Sequence, residues 1–171
     1  PVMADGRGTE PVIFEDAKTL YANLGKLIDK CGLNSDFGFG PIVRIKDRFF
    51  NPPVATEEVK ALEKNFPAAQ YRDVQLLIQM EGQGDIPKGF IVEIQLHHKS
   101  MFETKELAVH DFYKNYRGEK ATSEKVRKLI RLSNNMLNNR FFNDIEPQLI
   151  KDLGYKPEFN QEERQKYMNR S

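Results

Sequence analysis

GFIVEIQLHHKSMFETKELAVHDFYKNYR, residues Gly89 to Arg117, carries more structural information than any other stretch of this chain. It opens as a strand, because Phe90, Val92, Ile94 and Leu96 alternate with Ile91, Glu93, Gln95 and His97. A period of two places Glu93, Gln95 and His97 on one face. A carboxylate, an amide and an imidazole side by side on an apolar strand are costly unless a ligand, a metal or partner groups satisfy them. The strand therefore marks a candidate site. From Ser100 to about Tyr116 the pattern turns helical and brings Lys99, Lys105, His110 and Tyr113 close behind it in sequence.

Working upstream, YRDVQLLIQM at Tyr71–Met80 reads as a second strand. The turn-rich EGQGDIPKG joins it to the first as an antiparallel hairpin. In PIVRIKDRFF, Ile42, Arg44, Lys46 and Arg48 alternate with Val43, Ile45 and Asp47, and Asn51-Pro52-Pro53 ends that strand. Helical spacing of Ala17, Leu20, Tyr21, Leu24, Leu27 and Ile28 predicts a helix over Phe14–Gly32, with the glycine as its stop. Shorter helices are expected at Thr56–Phe66 and Asp144–Leu153, and a longer, basic one at Ser123–Arg140. The fold class is α+β, a small mixed sheet with helices packed on it. Residues 1–13 read as a flexible lead-in of a domain cut from a longer chain. Residues 14–155 form the domain, and 156–171 a polar, frayed tail.

Composition removes several classes of function. The chain has 171 residues, a formal charge of +1 and no apolar run near the ~18 residues of a membrane span. The single Cys31 excludes an internal disulfide and a multi-cysteine zinc site, and it reads as filler at a helix end. His110-Asp111 looks superficially like a metal-binding pair of phosphohydrolases. That chemistry needs further ligands, and the other histidines, His97 and His98, both sit on the strand.

Asp47 and Glu93 each lie on a strand among apolar neighbours. In one sheet they would form a carboxylate pair suited to Mg²⁺, which takes one or two carboxylates and fills its remaining positions with water and substrate phosphate. Arg44, Lys46, Arg48, Arg72, Lys88, Lys99 and Lys105 supply cations for a polyphosphate, and the Tyr71 ring could stack on a base. The residues alone leave an alternative open, with Asp47 a strand-end ion-pair partner and Glu93 paired to a lysine.

The order of these pieces resembles the RelA/SpoT-like alarmone synthetase family. RIKDRF at Arg44–Phe49, YRD at Tyr71–Asp73, EIQLHH at Glu93–His98 and HDFYKNYR at His110–Arg117 follow the family's sequence of motifs over Ile42 to Arg117. The resemblance implies a nucleotidyltransferase-like fold and a Mg²⁺-dependent pyrophosphokinase that moves pyrophosphate from ATP to the 3′-hydroxyl of a purine nucleotide. It implies Asp47 as metal ligand and Glu93 as metal contact and base. It puts Tyr71 against the acceptor base, Gln95 and His97 in the acceptor pocket, and His110 and Tyr113 in the same site. Arg44, Lys46, Arg48 and Arg72 become candidates for contacting phosphates, beside Lys99 and Lys105.

The chain departs from the family at Gln70, where a glycine is usual, at Asp73, where a serine is usual, and at Gln75 in place of a histidine. These departures resemble the toxin-like branch of the family, whose acceptors include adenosine nucleotides and the 3′ end of tRNA. On that branch the domain would act in a cytoplasm, delivered there as an effector, with an immunity or antitoxin protein as partner. A tRNA 3′-end pyrophosphokinase and an inactive nucleotide- or protein-binding module of the same fold are the alternatives.

Overall fold

The computed structural model describes residues 8–32, 38–51, 71–107 and 123–168. They belong to two compact units, Pro1–Asn51 with Asp73–His98, and Pro52–Arg72 with Lys99–Ser171. The first unit is a mixed four-stranded sheet with one helix, and the second is helical. The α+β class expected from the sequence is therefore what the chain forms.

Strands β1 (Gly8–Phe14), β2 (Phe39–Asp47), β3 (Val74–Met80) and β4 (Ile91–His98) lie in the order β1-β4-β3-β2. β4 is antiparallel to β3 and parallel to β1, and β3 is antiparallel to β2. The predicted hairpin between β3 and β4 is borne out. The flexible lead-in expected over 1–13 is not, because from Gly8 the chain forms an edge strand in register with β4, Val12 opposite Leu96. Pro11 hid it from a sequence reading, yet a proline is tolerated on an edge, where its missing N–H costs no ladder bond.

Residues directly opposite one another across paired strands share a face of the sheet. Val74, Leu76 and Ile78 on β3 and Ile94 and Leu96 on β4 form one buried face. Helix α1 (Ala17–Asp29) packs on β4 and β1 and buries Ala17, Leu20 and Leu24. The helix starts at Ala17 rather than Phe14 because Phe14 is spent on β1. Asp16 then caps it, its carboxylate accepting from Thr19 N at 2.7 Å. On β2 an irregularity between Phe39 and Arg44 resets the register. Gly40 sits within it, where an added Cβ would collide with the Gln79 carbonyl oxygen.

In the second unit, α2 (Lys99–Lys105), α3 (Ser123–Arg140), a π-helical turn (Phe141–Ile145), α4 (Glu146–Leu153) and α5 (Gln161–Met168) follow in chain order. Leu137, Phe141, Ile145 and Leu149 are fully buried, and Phe141 meets Phe142 and Tyr155 edge-on. Gly154, in the left-handed region at φ 65°, ends α4 and turns Tyr155 N back to Leu149 O at 3.1 Å.

The frayed tail expected over 156–171 is corrected over its described part. Phe159 and Tyr167 stack at 4.7 Å, and Asn138 on α3 donates to the Tyr167 carbonyl at 3.0 Å. Polar composition concealed this anchorage, which rests on two aromatic rings and asparagine bonds to the backbone. The helix predicted from Ser100 to Tyr116 is seen over Lys99–Lys105. Its part from residue 108 on, with His110 and Tyr113, and the helix expected at Thr56–Phe66 lie outside the described residues. No helix among the described residues is long and apolar enough to cross a membrane.

Candidate active site

The second face of the sheet is polar. On β3, Gln75 and Leu77 are half-buried and Gln79 is exposed, against the buried Val74, Leu76 and Ile78. Register aligns Arg44, Leu77 and Glu93 in one row and Lys46, Gln75 and Gln95 in the next. Arg44 and Lys46 are exposed there. With strands ~4.8 Å apart, the β2 and β4 backbones stand about 10 Å from each other across this face. That gap is within reach of a polyphosphate held by long cationic side chains.

Along β4 the expected trio forms a hydrogen-bonded row. Gln95 Nε2 donates to Glu93 Oε1 at 2.5 Å, and His97 Nε2 lies 3.1 Å from Gln95 Oε1. The other side of the imidazole looks toward Asp73, with Nδ1 at 3.9 Å from Oδ2. Asp73 is in turn gripped by Arg48, whose Nε donates to Oδ1 at 2.6 Å while Arg48 N donates to the Asp73 carbonyl at 2.9 Å. Asp73 and His97 are each 1% exposed. A buried carboxylate and imidazole of this kind persist because each meets partners. Asp73 appears in the sequence only as a departure from serine. Its link to Arg48 and His97 depends on strand register, which no spacing rule supplies.

The expected pairing of Asp47 with Glu93 on one face is corrected. Asp47 lies opposite Val74, and Val74 opposite Leu96, so Asp47 belongs to the face opposite Glu93. Its carboxylate accepts from the Tyr21 hydroxyl of α1 at 2.8 and 2.9 Å, and from Phe49 N and Phe50 N at 2.9 and 3.2 Å. Asp47 thus closes the turn after β2 and ties it to the helix. Helical periodicity marks Tyr21 only as an apolar position and carries no sign of the bond its hydroxyl makes to Asp47.

A two-carboxylate magnesium site made of Asp47 and Glu93 therefore does not fit this arrangement. A site with Glu93 as the one protein carboxylate does, because Mg²⁺ keeps several waters and takes substrate phosphate oxygens for the rest. Among the described residues no three His, Cys, Asp or Glu side chains cluster as a metal cage.

Several other expected site residues lie elsewhere. Tyr71 is 4% exposed, and the Lys105 ammonium sits 4.9 Å over its ring, so among the described residues the ring is buried rather than offered to a base. Arg72 is buried with its guanidinium 3.8 Å over the Phe141 ring, and among the described residues its Nε and Nη1 have no hydrogen-bond partner. Burial lowers its pKa to about 10, against the opposing pull of Tyr155, Glu146 and Glu158. Arg72 thus belongs to the helical core rather than to a phosphate grip. Lys99 reaches Glu103 at 4.0 Å in an exposed pair of little energetic weight. Cys31 donates its thiol to the Leu27 carbonyl at 3.2 Å, and burial pushes its pKa up, as befits filler.

No protein-family model matches the sequence, and no curated protein matches it. Solved structures do. Small alarmone synthetase 1 from Bacillus subtilis bound to its product pppGpp is 16% identical at a TM-score of 0.46, over 75% of this chain and 55% of that one. The Streptococcus mutans UA159 protein smu.1046c is 15% identical at a TM-score of 0.48, over 89% of this chain and 65% of that one. A GTP pyrophosphokinase family protein from Streptococcus pneumoniae is 14% identical at 0.44, over 75% and 56%. The chain thus spans less than two thirds of the length of these proteins, and what it shares with small alarmone synthetases and GTP pyrophosphokinases is a structural similarity at low sequence identity.

Proposed function

We infer that the polar face of the sheet binds a magnesium nucleotide and that the chain is a pyrophosphokinase domain of the RelA/SpoT type. It would pass the β,γ-pyrophosphate of ATP to the 3′-hydroxyl of a purine nucleotide. The observation that carries this reading is the Glu93 carboxylate, half-buried and fixed by Gln95, in the same row as the exposed Arg44 and beside Lys46.

The roles follow from that placement. Arg44 and Lys46 would draw in and neutralise the triphosphate, which is most of what a protein contributes to phosphoryl transfer. Glu93 would accept the proton of the 3′-hydroxyl as its oxygen attacks the β-phosphorus. The bond between that phosphorus and the α,β-bridging oxygen breaks, and AMP departs. Glu93, with phosphate oxygens and water, would hold Mg²⁺, which would polarise the transferred group. Lost positioning of the hydroxyl would lower turnover more than affinity.

A second reading, a nucleotide-binding module without turnover, is favoured by the burial of Tyr71 and Arg72, which keeps both off an open surface. One assay separates the two. The chain is incubated with γ-³²P-ATP, Mg²⁺ and, separately, GDP, GTP, ADP, AMP and bulk tRNA, and products are resolved by chromatography. A labelled 3′-pyrophosphorylated product supports the pyrophosphokinase and names its acceptor, tRNA included. Nucleotide binding with no transfer to any acceptor supports the module.

A further inference from the structure

Glu93, Gln95 and His97 share more than a face, because the hydrogen bonds between them have a direction. An ionised carboxylate only accepts, so the amide nitrogen of Gln95 must be the atom that faces Glu93. It donates to Oε1, a hydrogen bond to a charged acceptor. The Gln95 carbonyl oxygen is then turned to His97 Nε2 at 3.1 Å, and that nitrogen must carry hydrogen. The imidazole is buried, with Nδ1 on the side of Asp73, and Asp73 is held by Arg48. Every link lies within the sheet unit: Glu93, Gln95 and His97 are on β4, Asp73 immediately precedes β3 and Arg48 follows β2.

We propose that Gln95 and His97 are positioning residues. They fix the orientation of the Glu93 carboxylate through a one-way chain of hydrogen bonds that starts at the Nε2–H of the buried His97 ring and passes through the Gln95 amide. Oε1 is occupied by this chain, which leaves Oε2 as the oxygen offered to substrate. The part of this inference that concerns turnover rests on the pyrophosphokinase reading. The tautomer does not.

Long-range ¹H–¹⁵N spectra of the intact chain test it, since only three histidines must be assigned. His97 is expected as the Nε2–H form. Gln95→Leu removes the acceptor of that hydrogen, and the ring should shift to the Nδ1–H form that faces Asp73. Gln95→Glu is nearly isosteric and keeps an acceptor for Nε2–H, so its tautomer should stay as in the wild type while the donor to Glu93 is lost. Both variants are expected to lose kcat by about tenfold to a hundredfold. On a Glu93→Gln background the same changes should add little further loss. An Nδ1–H ring in the wild type, a His97 spectrum unmoved by Gln95→Leu, or unchanged kcat in both variants would overturn the proposal. In a chain without turnover the tautomer still decides the hydrogen-bond chain, which keeps failure here distinct from failure of the proposed reaction.

Discussion

Replacing Asp47 by alanine should damage stability rather than metal response. The carboxylate takes the Tyr21 hydroxyl on both oxygens and the N–H groups of Phe49 and Phe50 on one, and Phe49, which the turn positions, is 1% exposed. Hydrogen bonds to a charged acceptor and side-chain caps of backbone N–H groups are each worth about 1–2 kcal/mol, less where solvent replaces them. Asp47 is half-buried, so the turn bonds and the tyrosine tether together come to about 2–3 kcal/mol. For a chain of this length that lowers Tm by roughly 4–12 °C. Tyr21→Phe alone should cost about 1 kcal/mol, and combined with Asp47→Ala much less than the sum, because the two changes remove the same bond. Differential scanning calorimetry of the four proteins, with and without Mg²⁺ and ATP, reads both quantities. The reasoning fails if Asp47→Ala leaves Tm unchanged, or if it abolishes the Tm increase expected of the wild type on adding Mg²⁺ and ATP.

Two further outcomes concern the helical unit. At about pH 4, where Glu146 is largely protonated and no longer draws on the Arg72 charge, Arg72→Met is expected to leave Tm unchanged or to raise stability by about 1 kcal/mol, because a buried guanidinium with unmet donors among the described residues is exchanged for an apolar chain of similar length; a clear fall in Tm by calorimetry at that pH would contradict it. Glu146 is held above its usual carboxylate pKa of 4.5 by burial, with Arg164, 2.6 Å away, and Arg72 pulling it down. Its raised folded-state pKa makes its contribution to stability fully present below the unfolded value and lost as pH rises through the folded one. The stability of the wild type relative to Glu146→Gln should therefore improve as urea melts are taken from neutral to about pH 4.

The sequence and the structure part company at identifiable physical points. β3, β4 and α1 follow from periodicity because each buries one clean apolar face, and the row Glu93–Gln95–His97 follows from the same alternation. Which strand residues share a face across the sheet does not follow, because that needs register. Asp47 is one residue out of phase with Lys46, and this single step moves it from the Glu93 face to the face of Val74 and Leu96. Tyr71 and Arg72 precede β3 in an extended segment where alternation gives no burial, and only tertiary packing on Lys105 and Phe141 turns them inward. β1 escaped notice because Pro11 and Gly8 speak locally for a turn while the open edge of β4 supplies the pairing.

The measurement that tests the central claim most directly is pyrophosphate transfer from γ-³²P-ATP by Glu93→Gln and Asp47→Asn, side by side with the wild type and with the Tm of each. A carboxylate that takes the acceptor's proton beside the metal is worth at least about a hundredfold in turnover. Glu93→Gln should therefore lose that much at an unchanged Tm, while Asp47→Asn keeps most of its turnover and melts earlier. Full turnover in Glu93→Gln, or abolished turnover at an unchanged Tm in Asp47→Asn, would contradict the assignment of the Glu93 face as the site of transfer.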